Sequence, residues 1–279
     1  MVAVQAAVGR LPMAALAAIA LLGLGARAAV LTAAALVALA VPAACSLSRY
    51  RPAAVSGAGR GLASLGRQMA AGFAAIAARR PLLRATVTSV LSYAGIGMLL
   101  VSCPVLGAER LGAPARGALL ISALAVTSLT ANAVLARRPG PPPRGRPRPD
   151  TWVLASTLVI GVSMAAAALA PGWLILVAVA LGGAGEGPQL TALLAVRHRE
   201  TPANLRGQVY TTAASLKIGG LAAGAALGGP LAGWSVTGCL LIAAGIELAA
   251  AAAYLMVRPG SCYTEAMQRN LSANWRPAG

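Results

Sequence analysis

Acidic side chains are scarce in this chain, with six Asp and Glu among 279 residues against 23 Lys and Arg. Aromatics make up 4% and include a single Phe, so base stacking on interleaved aromatic and basic side chains has little to work with. Nucleic-acid binding is therefore not expected, although a net charge of +17 would suggest it in a soluble chain. The one histidine, His198, and four cysteines without C-x-x-C spacing (Cys45, Cys103, Cys239, Cys262) give no ligand set for zinc, and the cysteines read as free thiols. No H-E-x-x-H, G-x-S-x-G or P-loop occurs, which argues against an enzyme and an ATP-driven pump. No cofactor or metal is expected. Charged residues amount to 10%, whereas 58% are hydrophobic and the mean hydropathy is +0.75. That balance excludes an ordinary soluble domain and leaves a polytopic membrane protein.

Apolar runs long enough to cross a bilayer cover about 4–24, 28–46, 83–106, 115–135, 152–170, 173–196, 208–230 and 236–257. They predict about eight helices, since no strand alternation appears and lipid leaves helices to satisfy the backbone. Arginines collect after the second, fourth, sixth and eighth runs, and the alternate loops carry only Arg27, Arg110 and Arg116. Both termini are thus expected in the cytoplasm, with the chain multi-pass in the plasma (inner) membrane. Trp173 and Trp234 fall at expected outer helix ends and Trp152 at an inner one, where indole rings anchor. The first run passes straight into the second without a change of character, which argues against a cleaved signal peptide.

Between the second and third runs, Leu62, Leu65, Met69, Phe73 and Ile76 recur at three- and four-residue spacing among arginines. This predicts an amphipathic helix, either on the inner leaflet or packed against the bundle. The stretch 137–150 is proline-rich and basic, and reads as an extended linker near anionic lipid with no chemical role.

Three ionisable side chains, Glu186, Lys217 and Glu247, lie inside the last three runs. Counted at 1.5 Å per residue from the arginine-rich ends, each is roughly 15 Å deep, about half a bilayer core. A charge there costs a few kcal/mol, so the three together predict a polar site within the bundle. Two acids sharing one ammonium could take up and release a proton; the bland alternative is that acid and lysine pair only to neutralise each other. Gly220, Gly224 and Gly228 recur every four residues and form a flat ridge for close helix contact.

The run 181–233 contains a glycine-bearing helix around Glu186, a short loop with Pro202, Arg206 and Gly207, and then a helix rich in small residues. It resembles the tenth and eleventh helices of a major facilitator superfamily transporter. On that register the eight runs correspond to helices five to twelve, so the chain resembles an amino-terminally truncated member. Residues 1–46 would be the last two helices of the amino-terminal half and 47–82 the central cytoplasmic loop with the amphipathic helix. Residues 83–257 would form the carboxy-terminal six-helix bundle, and 258–279 a cytoplasmic tail. The family's loop signature has only a degenerate echo at 136–140, and the glycine-proline signature of its proton antiporters is absent from 9–19. The resemblance implies secondary active transport of a small solute, with efflux as the expected direction and protons as candidate coupling ions. It places Ser89, Ser92, Tyr93, Glu186, Gln189 and Thr191 on cavity-lining helices, Lys217 on a flanking helix and Glu247 on a more peripheral one. The alternative expectation is a non-transporting remnant, or a subunit that forms a homo-oligomer or needs a partner to supply missing helices.

Overall fold

The computed structural model describes residues 62–137, 149–202 and 205–257. All regular structure among them is helical: α1 (Leu62–Ala78), α2 (Arg80–Leu111), a 3-10 turn (Pro114–Arg116), α3 (Gly117–Ala136), α4 (Pro149–Leu169), α5 (Leu174–Glu200), α6 (Arg206–Trp234) and α7 (Val236–Met256). The expected spans 4–24 and 28–46, the tail 258–279 and most of the basic linker lie outside the described residues.

Local chemistry sets the helix ends. Pro81 sits in the first turn of α2, where its missing N–H removes no intrahelical bond. The helix therefore starts at Arg80 rather than at 83, and Leu82, expected in the loop, is fully buried. Gly112 ends it at φ 83°, a left-handed conformation that glycine adopts without strain. Ser235 caps α7 by accepting a hydrogen bond from the Gly238 amide at 3.1 Å.

Five segments are long and apolar enough to cross a membrane: Arg80–Leu111, Pro114–Leu135, Pro149–Leu169, Leu174–Glu200 and Val236–Met256. α6 has 29 residues but is not among them, because its glycines and Lys217 dilute its hydropathy. Of the eight expected spans, six fall within the described residues, and five of those meet this measure. α2 is central, packed against α6 on one flank and α7 on the other; α7 continues to α4, α4 to α5, and α5 to α3. Met98, Leu99, Leu106, Leu120, Ile160, Met164, Ile175 and Leu240 form the core between them. Leu169, Leu174, Val177, Leu227 and Trp234 face outward, as suits a surface solvated by lipid tails.

α1 takes the packed form of the amphipathic expectation. Ile76 is buried with Leu82, Val209 and Ala213, Gly72 abuts Thr212 of α6, and Phe73 stays exposed. An apolar cavity of about 300 Å³ lies beside it, lined by Phe73, Ile76, Val87, Val90 and Leu216 among others. None of the candidate polar residues lines it.

Candidate functional site

The small-residue ridge determines how close α6 comes to α2. Gly220 rests on Val90, Gly224 on the Ala94 backbone, and Gly228 on Met98 and Val101. A Cβ at Gly224 would lie 2.7 Å from Ala94 Cα, so glycine is required for this approach. The approach brings Lys217, less than one turn before Gly220, over the side chain of Tyr93.

Successive helical residues point about 100° apart, so Ser92 and Tyr93 of α2 serve different sides. Tyr93 donates its hydroxyl to Glu186 Oε1 on α5 at 3.0 Å. Lys217 Nζ lies 3.6 Å from the centre of the Tyr93 ring, a cation–π contact. All three side chains are half-buried. Acid and lysine do not touch: none of the described ion pairs includes Lys217, and the tyrosine stands between the groups. The expected direct pair is thus replaced by a bridged one. The physical reason is that α5 and α6 barely meet: α6 packs on α2, whereas α5 packs mainly on α3 and α4.

Ser92 opens onto a sealed polar chain. Its hydroxyl donates to Glu247 Oε1 at 2.8 Å and accepts from Gln189 Nε2 at 3.1 Å. Gln189 Nε2 also donates to Thr157 at 2.8 Å, and Thr157 to the Val153 carbonyl at 2.8 Å. Glu247 is fully enclosed, and its Oε2 has no partner. Two glycines make the space for it: added Cβ atoms would lie 3.1 Å from Glu247 Cβ at Gly161 and 3.3 Å from its Oε1 at Gly95. Glu247 therefore does not share the lysine with Glu186; it sits behind α2.

Other candidates are placed elsewhere. Thr191 is exposed and donates to Asn132 of α3 at 2.9 Å, away from Tyr93. Ser89 is buried with an unpartnered hydroxyl. Of the three residues expected in the short loop, Pro202 lies there and accepts from the Leu205 amide at 3.1 Å, whereas Arg206 and Gly207 already form the first turn of α6. Arg206 Nε reaches the Thr201 carbonyl at 3.4 Å, and Gly207 has open space around it.

Sequence reasoning missed Asp150, which ends the proline-rich stretch given no role. Pro149 and Asp150 begin α4, an arrangement the Pro-Asp pair before an apolar run signals. Its carboxylate pairs with Arg84, with Arg199 at 3.1 Å and with the Tyr254 hydroxyl at 3.0 Å. Arg84 lies 4.4 Å over the Tyr254 ring, and Glu200 takes Arg199 Nε at 2.7 Å. Four helices are thus tied at the arginine-rich end. At the opposite end Arg110 donates to the Ala170 carbonyl at 2.7 Å and to Thr237 at 3.1 Å, joining α2, the end of α4 and α7.

Among the described residues no three His, Cys, Asp or Glu come together as metal ligands would. Compared with known protein families, curated proteins and solved structures, the chain matches none.

Proposed function

We propose that this chain is a secondary active transporter of a small solute, of major facilitator type and oriented for efflux, or the carboxy-terminal part of one. In this reading α2 to α7 form one helix half, both termini face the cytoplasm of a plasma-membrane protein, and protons couple through Glu186. The observation that carries the reading is the Glu186–Tyr93–Lys217 contact chain, half-buried where α5 and α6 diverge over α2. Ionisable groups are costly at such depth and are found chiefly where they line a solute or ion path. The test is reconstitution of the full chain in liposomes with a panel of labelled small solutes, with and without a pH gradient. Glu186→Gln is expected to reduce gradient-driven flux by about tenfold, the scale of one lost charge-assisted hydrogen bond. Unchanged coupling would remove Glu186 from the mechanism.

One observation favours a second reading, a non-transporting subunit with a partner or a homo-oligomer. The span of α3 is 11% buried within the bundle, against 44 to 56% for the other four spans. Cross-linking in native membranes separates the two: a specific oligomer without flux supports the subunit, and flux from a monomer supports the transporter.

A further inference from the structure

Arg197 stands on α5 about three turns beyond Glu186, toward the arginine-rich end. It is 4% exposed, and its Nε and Nη2 have no hydrogen-bond partner. Arg84, also buried, is ion-paired with Asp150. Glu200, one turn further along α5, is already committed to Arg199 at 2.7 Å. A guanidinium removed from water without an anion costs several kcal/mol, so the fold holds an unsatisfied cation.

Tyr210, two turns before Lys217 on α6, donates its hydroxyl to the Leu194 carbonyl of α5 at 3.3 Å, so Arg197, one turn beyond Leu194, stands at the boundary with α6. Lys217 is the only lysine of the chain, and its ammonium rests on an aromatic ring rather than on a carboxylate. The one acid nearby, Glu186, has an oxygen occupied by Tyr93. α5 and α6 barely meet and leave Tyr93, Glu186 and Lys217 half-buried between them, so among the described residues this groove holds two cations against one acid.

We propose that this groove is a binding site for a carboxylate or phosphate group, gripped by the Arg197 guanidinium and neutralised further by Lys217. Arginine offers a planar fork that matches both groups in a bidentate fashion, and lysine adds a mobile point charge. The proposal rests on the reading of the groove as a solute path and names its substrate class as anionic. The same chemistry could come from a soluble anion or from an anionic lipid headgroup.

The full chain in phosphatidylcholine nanodiscs serves for the test, with unfolding temperature read against benzoate and inorganic phosphate at constant ionic strength. Glucose and tetramethylammonium are the controls. At least one anion is expected to raise the unfolding temperature saturably, and to slow acylation of Lys217 by an amine reagent. Arg197→Gln and Lys217→Gln should each weaken the apparent affinity about tenfold or more, and Arg197→Lys less. A parallel set in phosphatidylglycerol nanodiscs distinguishes the sources. If the headgroup is the ligand, that lipid stabilises the wild type but not Arg197→Gln and suppresses the benzoate effect. No saturable anion effect in either lipid, or wild-type affinity in Arg197→Gln, overturns the proposal. If Arg197→Gln does not fold, Lys217→Gln and the acylation readout on the wild type decide it alone. Flux of a neutral or cationic solute, untouched by anions that do not bind, would leave the transporter reading standing and sink the anion site. Anion binding without flux of any solute would do the reverse.

Discussion

On one side of α2, Glu247 is enclosed by Gly95 and Gly161, and Ser92, Gln189 and Thr157 pass hydrogen bonds along a matched chain. On the other side, one residue along, Tyr93 joins a half-buried acid and a half-buried lysine that never meet. The sealed side has used most of its bonding capacity on itself, Glu247 Oε2 and the hydroxyl of Ser89, one turn before Ser92, being left over. The open side has capacity left over. Saturated polar chains in a low-dielectric interior specify how helices register, whereas unsaturated groups beside a gap are free to meet something else. The arginine-rich end of the bundle shows the same difference: Asp150 binds three side chains there, while Arg197, on the same helix as Arg199, has Nε and Nη2 without a partner among the described residues.

The sharpest way to break the comparison is to remove the contact on which the open side alone depends. Gly224→Leu would drive a side chain into the Ala94 backbone and push α6 off α2, costing about 3 kcal/mol. Lys217 would leave the Tyr93 ring, while the Ser92–Glu247 bond would survive. Unfolding in mixed micelles measures the first effect, and the acylation rate of Lys217 the second. Asp150→Asn should cost somewhat less, about 2 kcal/mol, because it strands the buried Arg84 but acts on a carboxylate that is 21% exposed. The same micelle titration reads it, and Arg84→Met in the Asp150→Asn background should recover part of the loss. Glu247→Gln keeps an acceptor for Ser92, so its cost should stay within about 1 kcal/mol. Glu247→Ala, which leaves a hole between two glycines, should cost about 2 kcal/mol. Equal destabilisation by the two Glu247 variants would show that the sealed chain depends on the carboxyl group itself rather than on the volume and acceptor that Gln preserves. Glu186→Gln, at a half-exposed position, should change stability by about 0.5 kcal/mol or less. If it destabilises as much as Glu247→Ala, the open side is structural after all.

Much of the helix pattern was legible from residues alone. The starts of α4 to α7 fall within a few residues of their apolar runs, because a membrane helix is marked by length and hydropathy before any packing is known. The periodicity at 62–76 marked α1 as a helix but not its berth, since an apolar stripe fits lipid and protein equally well. Asp150 was hidden by its company: prolines and arginines around it read as linker, and its three partners come from positions 84, 199 and 254. Arg197 was counted with Arg199 as one topology signal, although one is buried and the other exposed.

Sequence by itself determined that this protein is a bundle of apolar helices with three ionisable groups set inside it. A hydrophobic run and a charge within it are local facts, fixed by residue type and counting. Which charge meets which was decided only by tertiary structure. It depends on helix rotation and on which helices diverge, and a rotation of a single residue step, about 100°, is enough to send Ser92 toward Glu247 and Tyr93 toward Glu186 and Lys217.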